Sequence, residues 1–178
     1  MLTPRQTTPE LDLDTLSHGR FSLAGDNPER FTLVAFYRGL HCPICANYLK
    51  ELERLTPEFE ARGIKTIAVS SDDRERAQAM ADKIDATTLR IGHGLPLLRA
   101  KDWGLFISAS RGKTSIGIDE PALFSEPGVF LVRPDRTLYY ASVQTMPFVR
   151  PNFAELSQAL DFVIAKDYPA RGEYTGAL

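Results

Sequence analysis

Cysteine is scarce in this chain, which has only two among its 178 residues, Cys42 and Cys45. A disulfide between them would close too small a loop to stabilise the fold much, since this stabilisation grows with loop length. The N-terminus also lacks the apolar run of a secretory signal peptide, so we expect a cytoplasmic protein. Disulfides in that reducing compartment are usually transient and chemical. We therefore expect the two cysteines to react and not to serve as a structural cross-link.

The sequence also lacks long apolar runs and an excess of one charge. No stretch approaches the ~20 apolar residues that a membrane-spanning helix needs. The chain has 21 basic and 23 acidic residues, which gives a formal net charge of −2. Such a balance creates no field that would attract nucleic acid or an anionic membrane surface. We expect neither of them as a partner.

The length suits one domain, because 178 residues can bury one core and are too few for two comfortable ones. We expect a single domain over residues 1–178, with its core over about 10–166 and a C-terminal tail over 167–178. The hydrophobic pattern predicts the following elements in chain order: a β-hairpin (11–16 and 20–23), a buried strand (31–37), a helix (43–62), a strand (64–70), a helix (72–84), a poorly patterned insertion (85–127), a second hairpin (128–132 and 137–143) and a last helix from residue 152.

The predicted order of elements defines the fold class. A strand, a helix and a strand joined by short links imply a right-handed crossover and parallel pairing. The final hairpin adds antiparallel strands, so we expect an α/β protein with a central mixed β-sheet flanked by helices. In such sheets the functional residues lie beyond the carboxyl ends of the parallel strands. The first central strand leads directly to Cys42. Within the helix that follows, Pro57 predicts a kink or a restart.

The segment Cys42-Pro43-Ile44-Cys45 has the spacing of a redox-active pair at the start of a helix. With Cys42 at the N-cap and Pro43 at the first helical position, Cys45 lies one turn into the helix. Free backbone N–H groups and the helix dipole then favour the Cys42 thiolate, so its pKa should fall below the reference value of about 8.5. We expect Cys42 to attack an oxidised substrate and Cys45 to resolve the intermediate as a disulfide.

Two other interpretations of the cysteine pair are weaker. A structural zinc ion needs four ligands, and the three histidines, His18, His41 and His93, form no second close pair. Two reduced thiols buried in a core without chemistry are the simplest alternative. The position of the pair between a strand and a helix favours redox chemistry over both.

The segment from Val34 to Cys45, Val-Ala-Phe-Tyr-Arg-Gly-Leu-His-Cys-Pro-Ile-Cys, resembles the active-site region of the alkyl hydroperoxide reductase/thiol-specific antioxidant (AhpC/TSA) family. The resemblance extends over about residues 10–165 and includes the strand end at Ile67–Asp72. It implies a thioredoxin-like fold with an N-terminal β-hairpin and an insertion before the last hairpin. It also implies antioxidant oxidoreductase activity of a peroxiredoxin-like kind, with no bound cofactor.

The chain departs from the family pattern at two places. Peroxiredoxins typically carry Thr or Ser three residues before the reactive cysteine, and this chain has Gly39 there. They also carry Arg just before the later core strand, where this chain has Glu126-Pro127. Pro127 instead resembles the cis-proline of thioredoxins, which faces the cysteine pair and shapes the substrate site. The resemblance therefore predicts a cis peptide bond before Pro127 and a role for it in substrate binding.

The sequence leaves more than one role open for the residues next to the cysteines. His41 either favours the thiolate when protonated, as a residue of the substrate site, or is an exposed neighbour. Arg38 is better explained by a salt bridge at the sheet edge than by a role in the redox centre.

Three functions remain open: a thiol peroxidase that reduces peroxides, a thioredoxin-like reductase of protein disulfides, and a redox-sensing interaction module. The first two need an external thiol reductant, which could be thioredoxin, glutaredoxin or glutathione. Whether the protein forms a homodimer is also open.

Overall fold

The computed structural model describes residues 2–177 and contains nine strands and four α-helices in that range. In chain order they are β1 (Asp12–Asp14), β2 (Arg20–Ser22), β3 (Phe31–Phe36), α1 (Pro43–Glu60), β4 (Ile64–Val69), α2 (Arg74–Ile84), β5 (Arg90–Gly92), α3 (Leu97–Asp102), β6 (Ile107–Ala109), β7 (Leu123–Ser125), β8 (Gly128–Val132), β9 (Leu138–Val143) and α4 (Phe153–Ala165). Of these helices, none combines the length and the apolar character needed to cross a membrane.

The central sheet has five strands in the order β5-β4-β3-β8-β9. β3 pairs in parallel with β4, and β4 with β5, whereas β8 and β9 are antiparallel additions on the other side. β1 and β2 form the predicted N-terminal hairpin. The α/β fold with a mixed sheet flanked by helices is therefore confirmed. The poorly patterned insertion contains β5, α3 and a small ladder between β6 and β7.

Strand β3 lies at the centre of the sheet, and all six of its residues are buried. Its side chains alternate between two separate hydrophobic clusters, as the period of two in a strand requires. Leu33 and Ala35 pack with residues of α1, α2 and α4 on one face. Val34 and Phe36 pack with Trp103 on the other face. A strand buried on both sides explains the continuous apolar run in the sequence.

Helix α1 continues through Pro57, so the predicted restart of the helix there is wrong. Proline removes one backbone donor and usually interrupts a helix. Here Leu55 and Phe59, on either side of it, are fully buried in the core, and this packing holds the last turn in place. The first turns bury Cys45 and Leu49, whereas Tyr48 is only half-buried.

The segments on either side of the predicted core also pack against the domain. Thr7 bridges to Thr137 next to β9, and the backbone of Arg5 donates to Leu138. Within the predicted tail, Ala170 is buried and its carbonyl accepts a hydrogen bond from the Arg5 side chain at 3.0 Å. The two terminal segments thus contact each other along one edge of the sheet.

Candidate redox site

Cys42 occupies the N-cap of α1, and Pro43 is the first helical residue. The Cys42 sulfur accepts a hydrogen bond from the backbone N–H of Cys45 at 3.3 Å. The chain arrives there from β3 through a short turn, in which the Cys42 N–H donates to the Gly39 carbonyl. The predicted position of the pair at the carboxyl end of the central strand and the start of a helix is confirmed.

Both sulfurs are shielded from solvent, since Cys42 is 1% and Cys45 0% exposed. The two sulfurs are not joined in a disulfide. This burial means that a substrate reaches either sulfur only after the residues around the pair move. Within residues 2–177, no group of three or more His, Cys, Asp or Glu side chains is arranged to hold a metal ion.

Arg150 is the functional side chain that sequence reasoning missed. Its Nη2 atom lies 3.1 Å from the Cys45 sulfur and 3.8 Å from the Cys42 sulfur. Arg150 belongs to the segment that joins β9 to α4 (residues 144–151), which we call the strap. No spacing rule links it to cysteines more than 100 residues earlier. In the sequence, the only indication of a role for Arg150 was that it is a single arginine among apolar residues, just before a predicted helix N-cap.

Contacts within the strap and with Tyr48 of α1 hold the strap at the site. The Arg150 Nε atom donates to the Pro147 carbonyl at 2.8 Å, and its guanidinium carbon lies 5.0 Å from the centre of the Tyr48 ring. The Tyr48 hydroxyl donates to the Pro151 carbonyl at 2.6 Å. Tyr48 also stacks on Phe153, the first residue of α4, with ring centres 4.2 Å apart.

The surroundings shift the pKa values of the two thiols in opposite directions. The pKa of Cys42 falls to about 6, because its sulfur accepts hydrogen bonds from the side chain and backbone of Cys45 and lies near the positive charges of Arg150 and Arg38. Burial raises the pKa of Cys45, and the neighbouring Cys42 sulfur raises it further. At neutral pH, Cys42 is therefore the thiolate and Cys45 the protonated partner.

His41 is fully buried, so the expectation of an exposed neighbour is wrong. Its ring packs against Phe124 with centres 4.6 Å apart. Burial and the nearby charge of Arg38 lower its pKa to about 4, so the imidazole is neutral at neutral pH. The alternative expectation, a protonated His41 that favours the thiolate, is therefore wrong as well.

Arg38 forms the expected salt bridges, but they lie in the protein interior and not at an exposed sheet edge. Its guanidinium lies 3.6 Å from Glu120 and 3.3 Å from Glu126, and both carboxylates are nearly buried. Glu126 also accepts a hydrogen bond from the Ser108 hydroxyl at 2.6 Å. The insertion between β6 and β8 thus supplies two carboxylates that balance the charge of Arg38 next to the redox pair.

The predicted cis bond before Pro127 is wrong, since residues 2–177 contain no cis peptide bond. The physical reason is the crowding of strands at this point. The Glu126 N–H donates to the Phe106 carbonyl, and the Pro127 carbonyl accepts from the Gln144 N–H. Gly128 already pairs with Phe36 in the central sheet. Extended trans backbone satisfies all three partners, and Pro127 is itself buried.

The structure also explains why glycine replaces the Thr or Ser of the family at position 39. Gly39 has φ +136°, and a Cβ atom there would lie 2.8 Å from both carboxylate oxygens of Asp72. Asp72 accepts hydrogen bonds from the Leu40 N–H at 2.7 Å and from Arg76 at 3.1 Å. Its carboxylate thus fills the space that a side chain at position 39 would need. Helix α2 is capped by the next residue, Asp73, so the Asp72 carboxylate is not needed as its cap.

The fold defines a thioredoxin-like α/β protein, in which a pair of cysteines lies at the start of a helix. Within that class the chain belongs to the AhpC/TSA family, whose model matches residues 4–141. Among curated proteins, it is 28% identical over 135 residues to a 1-Cys peroxiredoxin of Dirofilaria immitis, covering 67% of this chain and 55% of that protein. It is 28% identical over 101 residues to 1-Cys peroxiredoxin B of Oryza sativa subsp. indica, covering 57% and 46%. The chain spans about half the length of these relatives.

Solved structures confirm the thioredoxin-like fold. A mutant of peroxiredoxin 6 from Arenicola marina superposes with a TM-score of 0.73 at 18% identity, covering 94% of this chain and 76% of that one. AhpC of Enterococcus faecalis gives a TM-score of 0.72 at 17% identity, covering 99% and 100%. The reduced 2-Cys peroxiredoxin of Plasmodium vivax gives 0.75 at 13% identity, covering 94% and 84%.

Proposed function

We propose that this protein is a thiol peroxidase in which Cys42 attacks the peroxide and Cys45 resolves the product. The observation that carries the proposal is the pair of opposite pKa shifts at one helix N-terminus. The pKa of Cys42 falls to about 6 and that of Cys45 rises. A thiolate is the nucleophile of thiol chemistry, so the assignment of roles follows from these shifts.

The proposed cycle has three balanced steps. The Cys42 thiolate attacks one peroxide oxygen and the O–O bond breaks; the other oxygen takes up a proton and leaves as an alcohol or as water. The Cys45 thiol then attacks the Cys42 sulfenic acid, which forms the disulfide and releases water. An external dithiol, or two molecules of a monothiol, reduces this disulfide by thiol–disulfide exchange and is itself oxidised.

A peroxide suits this site better than a protein disulfide. Cys42 is 1% exposed and its sulfur lies beside Arg150, so a small oxidant needs less movement of the surrounding residues than a polypeptide does. A thioredoxin-like disulfide reductase is expected to have a cis bond before Pro127, and residues 2–177 contain no cis peptide bond. The named relatives are 1-Cys peroxiredoxins, and the second cysteine at position 45 is the feature for which we propose the resolving role.

The physiological setting belongs to the same proposal. The reductant is an external thiol, for which thioredoxin, glutaredoxin and glutathione are the candidates to compare. We propose a cytoplasmic location, because a pair three residues apart closes too small a loop for a structural cross-link, and disulfides in a reducing compartment are usually transient. A homodimer is to be tested by sedimentation, with and without peroxide.

The decisive experiment measures turnover. Peroxide consumption is coupled to NADPH oxidation through thioredoxin or glutaredoxin, beside an assay of insulin-disulfide reduction with the same preparation. We expect multiple turnovers with peroxide, slow or no insulin reduction, and no turnover for Cys42→Ser. Faster insulin reduction than peroxide consumption would overturn the proposal in favour of a disulfide reductase. Reversible oxidation without multiple turnover would identify a redox-sensing module.

A further inference from the structure

A groove of about 590 Å³ lies over β9, on the sheet face that carries Trp103. β9 is the edge strand and packs extensively only against β8. Trp103 and Phe130 form its buried inner wall, whereas Phe106 is 52% and Val143 36% exposed along its sides.

The lining of the groove is suited to the hydrocarbon part of a ligand. Aromatic and aliphatic side chains form most of the wall, and the small residues Gly104 and Ala141 leave room between them. Small-molecule pockets in proteins typically measure about 300–1,000 Å³ and have mostly apolar linings with a few polar groups. An apolar surface of this kind, left open on a protein, often marks a binding site.

The mouth of the groove carries a positive charge. Arg171, which also lines it, donates to the Tyr168 hydroxyl at 3.3 Å. Within residues 2–177, no carboxylate lies within salt-bridge distance of the Arg171 guanidinium; Glu173, whose charge interacts with Arg171, is paired with Arg5 at 3.3 Å, so one positive charge remains. A guanidinium binds a carboxylate through two parallel N–H donors, so this position selects an acidic head group.

We propose that the groove binds an amphipathic carboxylate, with its hydrocarbon body against Trp103 and Phe130 and its head group on Arg171. The site is separate from the redox pair, and binding requires neither cysteine. The proposal that the groove binds a ligand is therefore independent of the peroxidase proposal. Thr145 lines the groove and belongs to the strap, so a bound ligand contacts the segment that carries Arg150.

Trp103 is the only tryptophan of the chain, so its fluorescence reports directly on this groove. The reduced protein is titrated with decanoate below its micellar concentration, and with 1-decanol and decylamine as head-group controls. Ala141→Phe fills the floor of the groove, and Arg171→Gln removes the charge. Arg111→Gln, in the exposed 110–122 loop, is the matched control for loss of a positive charge.

We expect decanoate to change the Trp103 emission saturably and decylamine to bind more than tenfold more weakly. Ala141→Phe should weaken decanoate more than tenfold. Arg171→Gln should weaken decanoate about threefold, as for an exposed ion pair, and leave 1-decanol unchanged. Arg111→Gln should match the wild type.

The proposal is overturned if no saturable change occurs, or if Arg171→Gln and the wild type bind decanoate equally. It is also overturned if sedimentation shows a dimer that decanoate dissociates, because a second copy would then be the occupant. Circular dichroism checks whether Ala141→Phe is folded. If Ala141→Phe is unfolded, the decanoate titration of Arg171→Gln decides whether the proposal holds.

Discussion

Cys42 and Cys45 lie three residues apart, yet burial and hydrogen bonding shift the pKa values of their thiols in opposite directions. Cys42 sits at the helix end, where a backbone N–H points at its sulfur. Cys45 lies one turn deeper, where burial dominates. Arg150 lies between 3.1 and 3.8 Å from the two sulfurs and stabilises negative charge on the pair. The proposed nucleophile is thus distinguished from its partner by a few contacts within about one helical turn and by one residue from the strap.

The first prediction concerns the titration of Cys42, followed by thiolate absorbance near 240 nm, which needs no access to the buried sulfur. Absorbance should rise as the pH increases through about 6, because the thiol loses its proton there. Arg150→Gln removes a positive charge and should move this step to higher pH. Arg111→Gln should not move it, and Cys42→Ser should remove it. An unchanged step in Arg150→Gln would contradict the role given to the guanidinium.

The second prediction concerns Gly39 and the Asp72 carboxylate. Gly39→Ala adds a Cβ atom 2.8 Å from that carboxylate in a backbone conformation with φ +136°, so both a clash and strain result. Gly112 has φ +91° with open space around it, so Gly112→Ala adds strain alone. Urea unfolding should show a loss of about 1 kcal/mol for Gly112→Ala and of at least ~2 kcal/mol for Gly39→Ala. Equal losses would mean that Asp72 does not fill this space.

At the scale of elements, two irregular segments complete a site that α1 begins. The strap brings Arg150 to the sulfurs, and the insertion brings Glu120 and Glu126 to Arg38. Both segments are anchored by contacts to regular elements, Tyr48 of α1 for the strap and the β6–β7 ladder for the insertion. Such anchoring lets loops hold functional groups in place.

The third prediction tests the anchor of the strap. Tyr48→Phe removes the hydrogen bond to the Pro151 carbonyl, and the strap should open more often. Because one such bond contributes about 1 kcal/mol, alkylation of the two cysteines should become about fivefold faster. Tyr139→Phe is the matched control, since it removes a similar bond to the Tyr168 carbonyl at the C-terminal segment. Mass spectrometry after timed iodoacetamide treatment measures both, and equal rates in the two variants would contradict a gating role of the strap.

At the scale of the whole molecule, two cores pack on opposite faces of one sheet and keep the redox pair inside. The core on the helix side includes both cysteines, and the core on the other side includes Trp103. The paired sulfurs belong to one chain and lie on one turn of a helix. Intramolecular resolution therefore has a far higher effective concentration than a reaction between chains.

The fourth prediction follows from this arrangement. One equivalent of peroxide should yield the Cys42–Cys45 disulfide within one chain. Rapid resolution consumes the sulfenic acid before a second peroxide reaches it, so the wild type should resist inactivation. Cys45→Ser should instead accumulate sulfinic acid at Cys42. Non-reducing electrophoresis with mass spectrometry measures these products, and a covalent dimer as the main product would rule the mechanism out.

The sequence alone determined the mixed α/β fold, the strand before Cys42 and the position of Cys42 at a helix N-cap. These features depend on local patterns: an apolar run in β3, proline at a first helical position, and an i, i+3 cysteine pair. Interactions between residues close in the chain decide them, so they can be recognised without knowledge of the fold.

Only the tertiary structure decided which groups surround the sulfurs. Arg150 reaches them from more than 100 residues away, and Asp72 fills the space beside Gly39 from the end of another strand. Burial made His41 neutral, and strand pairing on both sides kept Pro127 in extended trans backbone. Charge, burial and strand pairing act through space, and a sequence pattern carries no record of which distant residues will meet.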